Sequence, residues 1–231
     1  MTQNSPTADI AAWNDRFSVD EYIFGKDPNA FLAREVERLK PGSKVLCVAD
    51  GEGRNGVWLA ERGFRVHAID GSEVALKKSK ALARERGVHI YGGAAELGAA
   101  SGAAGAASAK PGIYHELVDV DTWQWPHATY DAVVAIFIQF ATAETRPALF
   151  ANIANSLVDG GLLLLEGYAT KQLQYATGGP TNLEQLYTTG LLSKSFPTMR
   201  IEALTEYDQE IEEGDRHKGM SALIDLVATK I

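Results

Sequence analysis

The chain has 231 residues, of which 45% are hydrophobic, and carries a formal net charge of -8 at pH 7. This length allows one α/β domain with a full core but not a nucleotide-binding domain plus an independent catalytic domain, so we predict a single domain over residues 1–231. Because the acidic residues are spread along the chain, binding to a nucleic-acid backbone is not expected to be its main activity.

The cysteine content and the hydropathy of the chain limit the cellular compartment and the kind of metal site that we expect. Cys47 is the one cysteine in the sequence, which excludes a disulfide framework and leaves no thiolate cluster for zinc. We therefore predict a cytoplasmic protein without a bound metal. The N-terminal segment has neither a basic start nor an apolar core, and no segment approaches about 18 consecutive apolar residues, so neither secretion nor a membrane span is expected.

The first forty residues are rich in aromatic side chains, among them Trp13, Tyr22 and Phe24. One interpretation is a hydrophobic flap that packs on a sheet, and the other is a lid that completes a ligand pocket. The two are compatible, and we predict a lid over residues 1–40. Residues 31–39 of this segment have the pattern of an amphipathic helix.

The sequence VLCVADGEGRNG, residues 45–56, organises the rest of the chain. A short apolar run typical of a buried parallel strand is followed by a glycine turn and then by a helical pattern. Gly51, Gly53 and Gly56 spell G-x-G-x-x-G, in which glycines allow positive φ and the close approach of a ligand to main-chain N–H groups. This turn predicts a nucleotide site.

The second predicted strand, FRVHAID, supports the same interpretation. It ends at Asp70, at about the distance from the glycines where a ribose-binding acid is expected, and Ser72 follows as a helix N-cap. An isolated glycine motif fits a tight turn without any ligand equally well. The three features together predict a nucleoside-containing ligand, and a nicotinamide dinucleotide remains one alternative.

The remaining elements complete an α/β pattern. A helix after Ser72 is followed by residues 92–112, in which 15 of 21 residues are Gly or Ala, and this composition predicts a flexible surface insertion. Further strands are predicted to close on Asp119 and to span residues 131–140, before a helix that ends at residues 160–161 and a fifth strand, LLLLEGY. Residues 199–231 read as a terminal β-hairpin.

These motifs resemble a known family. VLCVADGEGRNGVWLAERGFRVHAID and LVDGGLLLLEG are similar to motifs of class I S-adenosylmethionine (SAM) methyltransferases. WNDRF, EYIFGKDPNAFL, QLQYATGGP and RHKGMSALI resemble the branch that contains tellurite-resistance and thiopurine S-methyltransferase-like proteins. The resemblance implies a doubly wound, Rossmann-like sheet of seven mostly parallel strands with a C-terminal antiparallel hairpin, and SAM as the cofactor.

The resemblance also implies a cofactor site. Gly51 and Gly53 would pass under the methionine and ribose, Asp70 would bind the ribose hydroxyls, and Asp119 with the Val120 N–H would face the adenine. The family's acid in the first strand is replaced by Cys47, so Asp50 or Glu52 is expected to bind the cofactor's ammonium group. The full implied set is Asp50, Gly51, Glu52, Gly53, Asn55, Asp70, Gly71, Ser72, Asp119, Val120 and Ile136.

The acceptor is expected to be a small molecule with a soft nucleophile: a thiol, or a selenium or tellurium oxyanion. Such acceptors need no strong base, and no residue stands in a motif that marks one. Candidates for catalysis are Arg216 and His217, as a cation cluster in the hairpin turn, and Tyr175 in the loop of residues 169–180. Candidates for the lid and acceptor pocket are Trp13, Arg16, Tyr22, Phe24 and Gln139.

Two alternatives remain open. A Tyr-x-x-x-Lys at residues 22–26 is compatible with a nicotinamide-dependent oxidoreductase, although it lies before the cofactor turn. A catalytically silent SAM-binding protein is also compatible, because methyl transfer needs mainly positioning and leaves no obligatory triad. We expect a monomer or a weak homodimer.

Overall fold

The computed structural model describes residues 9–98, 110–214 and 217–231, and it contains a seven-stranded sheet. The strands are β1 Lys44–Val48, β2 Arg65–Asp70, β3 Gly112–Leu117, β4 Tyr130–Ile136, β5 Leu157–Tyr168, β6 Met199–Glu212 and β7 Lys218–Lys230. Their order is β3-β2-β1-β4-β5-β7-β6. The first five strands pair in parallel, and β7 is antiparallel to both β5 and β6. The predicted fold class is therefore confirmed.

Helices cover both faces of the sheet. They are α1 Ile10–Phe17, α2 Ala30–Glu35, α3 Arg54–Glu61, α4 Glu73–Glu85, α5 Ala94–Gly98, α6 Arg146–Ser156, α7 Gln172–Tyr175 and α8 Thr189–Ser195, with short 3-10 turns at Val36–Arg38 and Leu183–Gln185. In the part of the chain that the structure describes, no helix is long and apolar enough to cross a membrane.

The position of the site follows from the strand order. Since β1 lies between β2 and β4, the chain leaves the carboxyl ends of β1 and β4 toward opposite sides. An open crevice forms at such a switch point, and the loops that follow these strands line it. The buried residues of the sheet, including Val45, Val66 and Val133, form core clusters with the helices on its two faces.

The helix boundaries differ from the sequence expectations where local capping decides them. The Asn29 side chain accepts a hydrogen bond from the Leu32 N–H, so α2 begins one residue earlier than predicted and gives way to a 3-10 turn at Val36–Arg38. Residues 160–161 do not end a helix: α6 stops at Ser156, and both glycines lie within β5. The strand predicted over 131–140 ends at Ile136, because Phe137 turns away with a φ of 54°.

The predicted flexible insertion is wrong over its first part. Ala94–Gly98 is helical, and Leu97 is only 1% exposed, so the segment packs against the sheet. The Leu97 carbonyl accepts a hydrogen bond from Arg65 Nη1 at 3.4 Å. Gly112 already belongs to β3, and residues 99–109 lie outside the described residues.

Replacing Gly53 by alanine should lower the free energy of unfolding by roughly 2–5 kcal/mol. Gly53 has a φ of 90°, and a Cβ there would lie 2.1 Å from Ser79 Oγ and 3.0 Å from Ser79 Cα on α4. Gly63 is a matched control: it has a φ of 96°, but apart from its chain neighbours no atom of the described residues lies within 4 Å of the place that an alanine Cβ would occupy. Denaturant unfolding of Gly53→Ala and Gly63→Ala separates the cost of the clash with Ser79 from the cost of a positive φ at an alanine. Equal losses would show that α4 yields without penalty.

Candidate functional site

A crevice of about 930 Å³, including its mouth, lies at the carboxyl ends of β1–β4. The loops after these four strands form its floor, and α1, the segment around Phe24 and the hairpin residue His217 form its walls. Its lining residues are Ile10, Trp13, Phe17, Phe24, Ala49, Asp50, Gly51, Arg54, Asn55, Asp70, Gly71, Ser72, Val118, Asp119, Val120, Ile136, Phe137, Phe140 and His217.

Asp70, at the end of β2, is an acceptor fixed at the floor of the crevice. Its carboxylate accepts hydrogen bonds from the Gly51 N–H at 2.8 Å and the Ser72 N–H at 2.7 Å. Burial raises the pKa of Asp70, and these N–H donors oppose that shift. Each carboxylate oxygen retains a second lone pair, so the residue can still bind hydroxyl groups of a ligand.

Asp50 supports the turn between β1 and α3. One of its oxygens accepts a hydrogen bond from the Gly56 N–H at 3.0 Å, while the other is buried and has no partner among the described residues. A Cβ at Gly56 would lie 2.4 Å from that oxygen, so the third glycine of the motif makes room for Asp50. Burial, together with the charge of Asp70, raises the pKa of Asp50 to about 8. A cationic ligand group would satisfy this acceptor.

Two residues of the implied cofactor set lie outside the crevice. Glu52 is 3% exposed and forms an ion pair with Lys78 on α4, so it does not face a ligand. Gly53 packs against Ser79 of the same helix. Both depart from the expectation because the turn is already directed toward α4 at these positions.

The other implied cofactor residues line the crevice. Asn55 accepts a hydrogen bond from the Asn29 N–H at 2.9 Å, which joins the N-terminal segment to α3. Asp119 accepts one from the Asp121 N–H at 3.0 Å. Val120 and Ile136 contribute apolar surface beside these polar groups, as a nucleoside site requires.

The far end of the crevice is an aromatic wall made by Phe24, Phe137 and His217. The His217 ring lies 4.5 Å from the Phe24 ring and 4.6 Å from the Phe137 ring, between centroids. The positive φ of Phe137 directs this residue out of the sheet at the end of β4. Trp13 continues the wall, with its centroid 6.4 Å from that of Phe24.

His217 is uncharged in this setting. Burial, together with the positive charges of Arg54 and Arg16, lowers the pKa of His217 to about 3. Its Nδ1 is buried and has no hydrogen-bond partner among the described residues. The expectation that His217 forms a cation cluster is therefore wrong, and Arg216, its predicted partner, lies outside the described residues.

Four further candidates, three for the acceptor pocket and one for catalysis, do not line the crevice. The Tyr22 hydroxyl donates to the Lys78 carbonyl at 2.9 Å and thus fastens the N-terminal segment to α4. Gln139 bonds to the Tyr168 backbone, which joins the ends of β4 and β5. Arg16 is exposed above the Trp13 ring. Tyr175 lies beside Lys171, and Gly179 of the same loop packs against the Tyr168 ring.

Several lining residues were not identified from the sequence. Ile10 and Phe17 flank Trp13 at helical spacing, and that spacing was an available signal. Phe137 and Phe140 lie in an apolar run that resembles a continuous buried strand. Arg54 is a polar residue whose burial depends on the distant hairpin tip. Among the described residues no group of three or more His, Cys, Asp or Glu side chains is placed to hold a metal ion.

A buried polar cluster lies behind the aromatic wall. Glu166 on β5 is 2% exposed and accepts a hydrogen bond from the Asn29 side chain, while its carbonyl accepts one from the Phe137 N–H at 2.8 Å. Asp225 on β7 pairs with it across the sheet and binds Arg34 of α2 at 2.5 Å. Burial, followed by the charges of Asp225 and Glu213, raises the pKa of Glu166 well above its ordinary value.

Raising the pH should destabilise the parent protein more than a Glu166→Gln variant. A glutamate in the unfolded chain ionises at roughly pH 4.3, whereas Glu166 in the folded state retains its proton to higher pH. The folded state then binds more protons, so this contribution to the free energy of unfolding falls as the pH rises through the raised pKa.

Urea unfolding between about pH 5 and about pH 9 tests this expectation. Glutamine cannot ionise, so in the variant the free energy of unfolding should fall less steeply with rising pH. The difference between the two proteins is decisive, because Asp50 and Asp70 also have raised pKa values and add slope of the same sign to both. Equal slopes would contradict a proton on Glu166.

The family model described as a methyltransferase domain matches residues 46–165, or 120 of the 231 residues. A tRNA (uracil(54)-C(5))-methyltransferase from Pyrococcus horikoshii is 30% identical over 87 residues, which cover 32% of this chain and 21% of that protein. The chain thus spans about a fifth of the length of the curated relatives it matches.

Solved structures that share the fold include two that cover nearly the whole chain. One was determined in work on the conversion of a disulfide bond into a thioacetal group during echinomycin biosynthesis, with a TM-score of 0.70, 13% identity, and coverage of 96% of this chain and 92% of that one. The other is a TehB-like SAM-dependent methyltransferase from Corynebacterium glutamicum, with a TM-score of 0.57, 16% identity, and coverage of 96% and 95%.

Proposed function

This chain belongs to the methyltransferase domain family, and we propose that it transfers a methyl group from SAM to a small thiol or selenol. The observation that carries the proposal is the aromatic wall with its uncharged histidine. The crevice presents a cofactor-sized floor with polar acceptors and, beyond it, a small apolar space. The similarity of fold to a protein studied in sulfur chemistry agrees with this acceptor class.

The crevice floor fits the cofactor. The free lone pairs of Asp70 suit the two ribose hydroxyls, and the unpartnered oxygen of Asp50 suits the ammonium group of the methionine portion. Asp119 and Val120 would bind the adenine edge. SAM supplies, when bound, a methyl group made electrophilic by the sulfonium.

The rest of the reaction depends on positioning. Ile10, Trp13 and Phe17 cover the floor and would exclude water from it. In the proposed transfer, the acceptor sulfur or selenium would bond to the methyl carbon as the bond between that carbon and the sulfonium sulfur breaks, and S-adenosylhomocysteine would be released. A thiol that has lost its proton in water needs no base from the protein. His217, with a pKa of about 3, is too weak a base to deprotonate a hydroxyl or an ammonium group.

The wall also favours thiols over oxyanions. Phe24, Phe137 and neutral His217 provide no positive charge, and Arg54 is neutralised by Glu213 at 2.7 Å. A strongly hydrated oxyanion would lose its water without a paired cation from the protein. A thiolate is large and polarisable, and it would meet the sulfonium charge directly.

The test is a panel of acceptors scored by release of S-adenosylhomocysteine: thiophenol, aliphatic thiols, benzeneselenol, selenite, tellurite, catechol, primary amines and an unmodified tRNA. We expect turnover with the thiols and the selenol. Turnover confined to amines, catechol or tRNA would overturn the proposal. Tight SAM binding with no turnover would favour a silent binding protein, and NADH binding without SAM binding would overturn the cofactor as well.

A further inference from the structure

The hairpin tip carries a carboxylate that does not line the crevice. Glu213 follows β6, and its side chain is 11% exposed. Its oxygens bind three groups from two other segments: Arg54 Nη2 at 2.7 Å, Asn29 Nδ2 at 3.1 Å and the Ala30 N–H at 3.2 Å. This carboxylate therefore joins the hairpin tip to the N-terminal segment and to the first residue of α3.

Each of these three segments contributes a residue to the crevice wall. Arg54 itself lines the crevice, and its Nη1 donates to the Phe24 carbonyl at 3.3 Å. At the tip, the Glu213 N–H donates to the His217 carbonyl at 2.8 Å. Phe24 and His217, which face each other across 4.5 Å, are thus both held through Glu213.

Close packing leaves the tip little freedom to sit elsewhere. A Cβ at Gly214 would lie 2.5 Å from the Ile23 carbonyl oxygen and 2.7 Å from the Gly25 nitrogen. The backbone of the tip therefore lies directly on residues 23–25. Beside this backbone contact, the Glu213 carboxylate binds the Asn29 side chain and the Ala30 N–H of the same segment.

The charge of Glu213 has a second consequence. The Arg54 side chain is 8% exposed, and a buried guanidinium without a paired anion is strongly unfavourable. Without Glu213, Arg54 would have to move toward solvent and would release the Phe24 carbonyl. The aromatic wall would then lose its fixed spacing.

We infer that Glu213 is a positioning residue for the acceptor: it binds Arg54 and the N-terminal segment, and thereby holds Phe24 and His217 at the spacing the acceptor requires. The kinetic consequence rests on the proposed function. The structural consequence, the joining of residues 20–30 to residues 211–214 and to His217, does not.

The test compares Glu213→Gln, which keeps the shape but removes the charge, with Glu212→Gln. Glu212 is the adjacent residue, exposed and paired with Lys218 at 2.8 Å, and serves as the matched control. Hydrogen exchange should become about tenfold faster in both residues 20–30 and residues 211–214 of Glu213→Gln, with the peptides of β1–β5 unchanged. The affinity for S-adenosylhomocysteine should stay within about threefold.

With thiophenol as the acceptor, KM should rise about tenfold in Glu213→Gln while kcat changes much less, because the loss is one of acceptor binding. Faster exchange in the hairpin alone, or equal effects of both variants, would overturn the inference. An equal loss of cofactor affinity would show a general structural role instead. If the parent protein does not use thiols, the proposed function fails, and the exchange experiment still decides the role of Glu213.

Discussion

Replacing Asp70 by alanine should weaken the binding of S-adenosylhomocysteine by roughly ten- to a hundredfold. The carboxylate would lose two charge-assisted hydrogen bonds to the ribose, each worth about 1.5–3 kcal/mol, and part of that loss would be offset by water in the empty space. Titration calorimetry of the purified protein with S-adenosylhomocysteine measures the change directly.

The variant needs two controls, because Asp70 also holds the turn. Its bonds to the Gly51 and Ser72 N–H groups are internal to the protein, so alanine leaves both donors without their partner. Asp70→Asn keeps one acceptor oxygen and should bind more tightly than Asp70→Ala. Glu73→Gln, on the exposed first turn of α4, removes a nearby charge without touching the crevice. If Asp70→Ala binds as tightly as Glu73→Gln, the ribose assignment is wrong.

The cofactor turn could be predicted because its signals are local. A buried strand, a glycine turn and a capped helix each have a pattern within a few residues, and Ser72 indeed caps α4 by accepting from the Ala75 N–H. Glu52 and Gly53 show the limit of such reasoning. Their side-chain and backbone contacts are with Lys78 and Ser79, so their roles depend on how α4 packs and cannot be read from the turn itself.

The aromatic wall at the acceptor end of the crevice could not be predicted either, because it also depends on tertiary packing, here between segments that are far apart in the sequence. Phe24, Phe137 and His217 come from three segments that are distant in sequence and meet only when the hairpin tip lies on the N-terminal segment. The turn at Phe137 also could not be predicted from the apolar run at 131–140, because a strand that ends with a positive φ can have the same composition as one that continues. The ionisation of His217 was misjudged because burial, rather than its basic sequence neighbours, determines its pKa.

Removing residues 1–18 should abolish methyl transfer, with a loss of at least about a hundredfold, while the sheet remains cooperatively folded. This deletion removes α1 and with it Ile10, Trp13 and Phe17, which cover the crevice floor. The main core clusters on the two faces of the sheet do not include them, since Phe17 belongs to a separate small cluster with Ile23 and Ala75. Stability should therefore fall far less than activity.

Point variants separate the aromatic face from the bulk of the helix. If the Trp13 ring faces the sulfonium of bound SAM, Trp13→Ala should lower kcat/KM by about 2- to 30-fold, the range expected for loss of a cation–π contact, and Trp13→Phe should restore most of it. Asn14 remains in both variants and anchors α1 to the crevice by accepting from Ser72 Oγ at 2.6 Å, so the helix should stay in place. Circular dichroism and denaturant unfolding check the fold of the truncated protein, Trp13→Ala and Trp13→Phe. Full activity after removal of residues 1–18 would reduce α1 to a packing element and leave the exclusion of water to Phe24 and His217 alone.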